Sequence, residues 1–189
     1  MAREAPPDLR EVLHAAKPPA EEWMTTPAAP LKKYPYRPHL QGGTVTMSVD
    51  GSRIYALLRD EATMVVLDAT SLALLQTIEV CETPEQVAVA NGDTAYVTCA
   101  ADRVIAVDAR GQQTKEVAVT GQPHGIAIGP RGGVVVVTTR DGRAHAFDAA
   151  LRPMWRSELA AEPRGVAIDA GGTRAVVAHL RGGTLSVID

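Results

Sequence analysis

The chain is poor in cysteine, and this limits the classes of protein to which it can belong. Cys81 and Cys99 are its two cysteines, and no CxxC or CxxCH motif occurs among its 189 residues. Two cysteines are too few for a disulfide scaffold, and covalent attachment of c-type haem needs the CxxCH motif. Both classes are therefore excluded.

Long apolar runs are also lacking. No segment approaches the roughly 20 apolar residues of a membrane-spanning helix, and residues 1–7 contain no apolar core of a signal peptide. We therefore expect neither a membrane span nor a signal peptide in this chain. The net charge of −3 gives no reason to expect nucleic acid or an acidic lipid surface as a partner.

Catalytic signatures are missing as well. The sequence has no Gly-rich phosphate loop, no Gly-x-Ser-x-Gly elbow and no His-Glu-x-x-His motif. On this basis we predict no catalytic residue, no metal site and no cofactor.

Aromatic residues make up 4% of the chain, and Phe147 is the single phenylalanine. A domain of this length still buries a sizeable core, so the core is predicted to consist of Val, Ile, Leu and Ala. Tyr55, Tyr96 and Trp155 are expected to be its larger side chains. We expect Trp155 to pack between neighbouring structural units, since buried aromatic side chains usually serve the core.

Proline separates the first part of the chain from the rest. Eight of the 13 prolines lie in residues 1–40, where no alternating apolar pattern occurs. We predict an N-terminal arm over residues 1–42 with one short helix from Leu9 to Lys17, capped by Asp8 and stopped by Pro18. The remainder of the arm reads as extended, polyproline-like chain.

From residue 43 onward, a short unit recurs about every forty residues. Each unit contains an apolar segment that ends in aspartate, and these aspartates are spaced 40, 40 and 41 residues apart: Asp68, Asp108, Asp148 and Asp189. A fixed period of this length is typical of stacked supersecondary units.

Each unit reads as short strands separated by turns. In the second unit, turns at Asn91-Gly92-Asp93 and Ala109-Arg110-Gly111 divide β-branched segments. Four short strands per forty residues predict an all-β fold, a β-propeller of about 3.7 four-stranded blades. The predicted blades span residues 43–80, 81–120, 121–160 and 161–189. No helical pattern separates the strands, which argues against a parallel α/β sheet.

The repeats resemble a known family. Tyr96-Val97-Thr98-Cys99 differs in one residue from the Tyr-Val-Thr-Asn (YVTN) signature of forty-residue bacterial β-propeller repeats, and the unit Pro163–Asp189 is similar to that repeat almost end to end. The third unit, with Ala144–Ala149 and then Trp155, partly resembles the quinoprotein (PQQ-like) repeat, although Arg152 stands where that repeat usually has glycine.

The resemblance implies a propeller and a periplasmic or extracellular location. It leaves the function open, because such propellers include lactonases, dehydrogenases, cell-surface proteins and plain scaffolds. Our first interpretation is a non-catalytic binding or scaffolding module for a protein or ligand partner. The alternative is the propeller portion of a larger lactonase-like or quinoprotein/cytochrome-type oxidoreductase, whose catalytic or haem part lies beyond residue 189.

The number of blades raises a further expectation. Propellers usually have four to eight blades, and the last unit lacks a fourth strand. The chain is then a fragment of a longer protein, or two copies close an eight-bladed ring, or the arm completes a four-bladed ring. Open blade edges invite self-association.

Alternating strand direction brings two kinds of loop to one face of a propeller. Residues that precede the first strand of each blade ring the channel mouth, and residues that end the second strand share that face. The candidate ligand-binding residues are Glu85, His124 and Arg164 of the first kind and Cys99, Thr139 and His179 of the second. One interpretation is a polar channel mouth that binds an anionic ligand, a metal or a peptide. The simpler interpretation is that these are ordinary solvated loop residues.

Two local interpretations complete the prediction. Cys81 and Cys99 both lie toward this face, so they either form a disulfide or remain as two buried thiols. Arg140–Arg143 reads as a solvated turn.

Overall fold

The computed structural model describes residues 42–189, which belong to one compact unit. These residues form fifteen strands and one turn of 3-10 helix. The arm predicted for residues 1–42, with its helix from Leu9 to Lys17, lies outside the described residues apart from Gly42.

Four antiparallel sheets follow one another along the chain. Blade 1 contains β1 (Val45–Met47), β2 (Arg53–Leu58), β3 (Thr63–Asp68) and β4 (Leu74–Glu79), with the 3-10 turn Arg59–Glu61 between β2 and β3. Blade 2 contains β5 (Pro84–Val89), β6 (Ala95–Cys99), β7 (Arg103–Val107) and β8 (Gln113–Ala118). Blade 3 contains β9 (Pro123–Ile128), β10 (Val134–Thr139), β11 (Arg143–Asp148) and β12 (Pro153–Glu158). Blade 4 contains β13 (Pro163–Ile168), β14 (Ala175–His179) and β15 (Leu185–Ile188).

This arrangement confirms the predicted all-β propeller. In every blade the strands are paired in chain order, as in an up-and-down meander. The first strand of one blade lies beside the first strand of the next, since β9 contacts both β5 and β13. These inner strands bring the start of each blade to a common centre.

The core consists of three apolar layers, each between two successive blades. Strand alternation sends neighbouring residues to different layers: Val87 and Val89 of β5 face blade 1, whereas Ala88 and Ala90 face blade 3. A middle blade therefore buries both of its faces, which explains its continuous β-branched runs. At roughly 25 cal/mol per Å² of apolar surface, these layers supply most of the stabilisation.

The aromatic residues divide between core and surface. Tyr55 and Tyr96 are buried as predicted, and the Tyr96 hydroxyl donates a hydrogen bond of 2.8 Å to the Ala149 carbonyl of blade 3. Trp155 is 39% exposed, so the prediction that it serves as a core side chain is wrong. Its strand, β12, is the outer strand of blade 3, and the indole lines a crevice that Ile168 and Ile188 of blade 4 also line.

Glycines allow the segment before blade 1 to approach the centre. The amide of Gly42 donates to the Ile126 carbonyl at 2.7 Å, and Gly43 exchanges two backbone hydrogen bonds with Val87. A Cβ on Gly42 would lie 2.2 Å from the Ile126 side chain. The chain thus crosses the inner strands of blades 2 and 3 before it enters blade 1.

The aspartates of the repeat shape the turns that follow the third strands. Asp68 accepts hydrogen bonds from the amides of Thr70 and Ser71, and Asp148 accepts them from Ala150 and Arg152. These bonds lower the pKa of Asp68 and of Asp148. The period of forty residues therefore has a local cause, since blades 1 to 3 each use an aspartate-capped turn after the third strand.

The two cysteines form a disulfide, with Cα atoms 6.0 Å apart. Of the two alternatives that the sequence left open, the structure adopts the bonded one. Cys99 ends β6 opposite Pro84 of β5, and Cys81 lies in the loop that enters β5. The bond therefore ties the entry of the inner strand to the second strand of the same blade.

Acid is expected to destabilise the protein partly through its turn carboxylates. Hydrogen bonds, chiefly from Ser48, lower the pKa of Asp50 to about 2, and hydrogen bonds from turn residues lower the pKa of Asp68, Asp148 and Asp169. A depressed folded-state pKa gives stability that is present above the unfolded value near 4 and is lost as the pH falls through the folded value. Thermal unfolding measured from pH 5 to pH 2 should show a smaller fall in Tm for Asp68→Asn/Asp148→Asn than for the wild type. Equal slopes would contradict this assignment.

Reduction of the disulfide is expected to lower stability. Cross-linking residues 18 positions apart constrains the unfolded chain by about 3 kcal/mol. Urea unfolding with and without dithiothreitol should show this loss in the wild type, whereas Cys81→Ser/Cys99→Ser should be insensitive to the reductant. A wild type that unfolds identically under both conditions would show that the bond contributes nothing.

Candidate functional site

The inner strands carry the predicted site residues at irregular points of their pairing. In β5, Pro84 is paired with Cys99 and Gln86 with Thr98, so Glu85 is an extra residue in the ladder. The register also shifts in β9 between Pro123 and Ile126, around His124, and in β13 between Pro163 and Val166, around Arg164. Such bulges redirect side chains and are frequent beside functional sites.

Two threonines lock these bulges together. The Thr98 hydroxyl accepts from the Gln86 amide in its own blade and donates to the His124 carbonyl of blade 3 at 2.8 Å. The Thr138 hydroxyl repeats this arrangement one blade later, accepting from the Gly125 amide and donating to the Arg164 carbonyl. These bonds fix the position of β5 relative to β9 and of β9 relative to β13.

A buried carboxylate stands at the centre of the site. Glu85 is 4% exposed, and its Oε1 accepts from Arg59 Nη2 of blade 1 at 2.7 Å and from Arg140 Nη2 of blade 3 at 3.3 Å. Its Oε2 lies 3.1 Å from His124 Nδ1. The charge of Glu85 is thus compensated by side chains from both neighbouring blades, as a buried charge requires.

The histidine of this group is neutral near pH 7. Burial lowers the pKa of His124, and the positive charges of Arg164 and Arg140 act in the same direction against the opposing effect of Glu85. Because a carboxylate accepts hydrogen bonds, we assign the proton of the neutral ring to Nδ1. The other ring nitrogen, Nε2, is then an acceptor.

We refer to Arg59, Glu85, His124, Arg140 and Arg164 as the rim cluster. They come from all four blades and lie at the end of the propeller where first strands begin and second strands end. Three of them, Glu85, His124 and Arg164, were candidates from the sequence. The structure brings Glu85 and His124 into contact and places Arg164 close enough for its charge to act on His124.

The other three candidates do not join the cluster. Cys99 is fully buried, and its sulfur is bonded to Cys81, so no free thiol is available for a ligand. Thr139 is also buried, and its hydroxyl donates to Asp141. His179 contacts the Ala161 carbonyl and the Ser186 hydroxyl within blade 4.

Arg59 and Arg140 belong to the cluster, although sequence reasoning did not select them. The interpretation of Arg140–Arg143 as a solvated turn is wrong for Arg140, because its guanidinium reaches Glu85. Each arginine directly follows a second strand: Arg140 comes one position after the candidate Thr139, and Arg59 follows Leu58, which is not among the candidates. The signal therefore lies in the position after the second strand, since Thr139 is buried and the next residue reaches Glu85.

Three of the five rim-cluster side chains are guanidinium groups, which donate hydrogen bonds to anionic oxygens. Within residues 42–189, no group of three or more His, Cys, Asp or Glu side chains converges as metal ligands would.

The part of the chain that is described also contains no helix long and apolar enough to cross a membrane.

A second concave region lies at the opposite end of blades 2 and 3. This cleft of about 500 Å³ has Tyr96 and Ala106 in its wall, with Lys115 and Arg131 at its edge. Both cations are exposed and make no hydrogen bond or ion pair within the described part of the chain. It differs from the rim cluster in that no buried carboxylate holds its cations.

Comparison with solved structures supports the fold. The Kuenenia stuttgartiensis hydrazine synthase is similar with a TM-score of 0.72 and 23% identity, over 89% of this chain and 49% of that chain. A functionally unknown protein from Desulfotomaculum acetoxidans DSM 771 is similar with a TM-score of 0.64 and 16% identity, over 78% of this chain and 55% of the other. The chain thus spans about half the length of each. No protein-family model and no curated protein matches it. At these identities the likeness shows a β-propeller module and nothing finer.

The geometry of the rim cluster predicts unequal tolerance at two equivalent glycines. A Cβ at Gly125 would lie 2.0 Å from the Arg164 carbonyl, whereas a Cβ at Gly165 would meet nothing within 4 Å. Gly125→Ala should therefore cost about 1–3 kcal/mol in urea unfolding, because backbone must move, and Gly165→Ala should stay within about 0.5 kcal/mol. Equal effects of the two substitutions would contradict the close approach of blades 3 and 4.

Proposed function

We propose that this chain is a non-catalytic β-propeller module that binds a protein or ligand partner through the rim cluster. The observation that carries this proposal is Glu85, a buried carboxylate that holds cationic side chains of two other blades. Burying a charge is costly. The buried carboxylate of Glu85 holds the guanidinium groups of Arg59 and Arg140 at an accessible surface, where these side chains are 51% and 35% exposed.

The environment of Glu85 favours a role in orienting neighbouring side chains over a role as a catalytic base. A general base needs an oxygen free to take a proton from a substrate. Both oxygens of Glu85 already have donors, two guanidinium groups on Oε1 and the imidazole on Oε2. The carboxylate is therefore best suited to orient its neighbours.

The backbone gives this surface the rigidity that a binding site needs. Threonine hydroxyls hold the bulges at His124 and Arg164 against the preceding blades, and the Cys81–Cys99 disulfide holds the entry to Glu85. Side chains that are fixed before a partner arrives lose less entropy on binding.

The disulfide also supports a compartment. Disulfides persist in oxidising environments, so we propose a periplasmic or extracellular location. The Tyr-Val-Thr-Asn repeat family, proposed on the residues Tyr96–Cys99 and Pro163–Asp189, is consistent with that location.

Affinity capture from an extract of the source cells tests the proposal. The tagged wild-type chain should enrich a binding partner. The Arg164→Glu variant should enrich the same partner about tenfold less, because reversing a charge that contacts the partner removes a large part of the binding free energy. Arg164 is the suitable position because its side chain makes no contact with Glu85 and the fold should be retained, which a melting curve can verify.

Arg131→Glu is the matched control, with the same charge change at the opposite end of the molecule. It should capture the partner as the wild type does. No enrichment by the wild type, or equal loss in both variants, would refute a binding function of the rim cluster.

The similarity to hydrazine synthase favours a second candidate. Because this chain matches about half of that enzyme's chain, the second candidate is the propeller portion of a larger lactonase-like or quinoprotein/cytochrome-type oxidoreductase. A visible absorption spectrum of the protein isolated from its source tests the quinoprotein or cytochrome form of this candidate. A haem or quinone band that copurifies with this chain in one polypeptide supports the oxidoreductase, and a colourless preparation with a captured partner supports the binding module.

A further inference from the structure

We propose that the rim cluster recognises an oxyanion, a carboxylate or phosphate group of the bound partner, through Arg59, Arg140 and Arg164. This inference rests on the proposed binding function and specifies its chemistry. It follows from the charge balance, the unpaired donors and the shape of the groups at the site.

The charges in the cluster do not balance. Two guanidinium groups converge on one oxygen of Glu85, and Arg164 adds a third positive charge near His124. Glu85 carries the single negative charge among them, and His124 is neutral near pH 7. An excess of positive charge at a partly desolvated surface attracts an anion.

Among the described residues, no acid other than Glu85 pairs with the guanidinium groups of Arg59, Arg140 or Arg164. Asp141, the residue after Arg140, is paired with Arg143, and Glu162 is paired with Arg181 at 3.3 Å. Asp60 and Glu61 follow Arg59 in the 3-10 turn, where they are exposed and make no ion pair with it.

Donors remain unused within the cluster. Arg140 Nε is buried without a hydrogen-bond partner among the described residues. The guanidinium of Arg164 makes no hydrogen bond or ion pair within residues 42–189. The Nε of Arg140 has no accessible surface for a ligand, whereas the partly exposed guanidinium of Arg164 can donate to a bound oxyanion, which compensates a donor otherwise left without a partner.

The shape of the donors selects the ligand. A guanidinium presents parallel N–H groups in a planar fork, which matches the paired oxygens of a carboxylate or phosphate. A cationic or purely apolar group would gain nothing from such a surface.

Isothermal titration calorimetry of the full chain with inorganic phosphate and with citrate tests this inference. Sodium chloride at equal ionic strength accounts for non-specific screening. Saturable binding of either probe is expected, and its absence with both would overturn the inference. Tighter binding of phosphate or of citrate identifies the preferred source of the oxyanion.

Variants then locate the binding. Arg164→Gln should lower the affinity for the probe about tenfold, the loss typical of one charged hydrogen-bonding group. Arg140→Lys keeps the charge beside Glu85 but removes the fork, and it should weaken binding as well. Arg131→Gln removes an equal charge at the opposite end and should change affinity by less than about twofold.

The outcomes separate this inference from the function on which it rests. Saturable binding that Arg131→Gln abolishes, or that Arg164→Gln and Arg140→Lys both leave unchanged, would place the anion elsewhere and overturn the inference. If the probes fail to bind while partner capture still depends on Arg164, the binding function stands and its oxyanion chemistry is wrong. If capture also fails to depend on Arg164, both are wrong.

Discussion

The close contact between successive inner strands is the constraint on which the rest of the structure depends. Thr98 and Thr138 each bridge two blades by accepting from one bulge and donating to the next. Gly125 lets the backbones approach until a Cβ would meet the Arg164 carbonyl. This contact sets the distance between neighbouring sheets. A sheet with two buried faces packs closely on both sides only when each neighbouring sheet lies at the distance that its side chains fill.

The same spacing creates the electrostatics of the site. Glu85 can receive Arg59 from one side and Arg140 from the other because its own blade lies between theirs. In isolation each of these side chains would be an ordinary solvated loop residue. Their convergence makes one buried carboxylate the anchor for cations of the two neighbouring blades. The proposed binding of an oxyanion would add a second negative charge to this group.

Covalent and polar restraints concentrate at this end of the molecule. Cys99 of the disulfide is paired directly with Pro84 in blade 2, and Glu85 follows Pro84 in the chain. The opposite end is built from aspartate-capped turns, which are local and repeat with the sequence. One end thus carries the repetitive structure, and the other carries the features that differ from blade to blade.

The amino-acid sequence by itself determined the local features of this protein. The period of forty residues, the turn aspartates, the alternation of Val87 and Ala88 and the class of fold all follow from the order of residues along one blade. The tertiary structure decided the rest: that Cys81 bonds Cys99, that Trp155 stays at the surface, and that Arg59 and Arg140 meet at Glu85. The disulfide depends on the path of the loop that enters β5. The two arginine contacts join residues 26 and 55 positions apart, and their distances depend on how far one blade is rotated and shifted against the next. That rotation is set by packing across the whole layer, which a periodic pattern within a single blade does not encode.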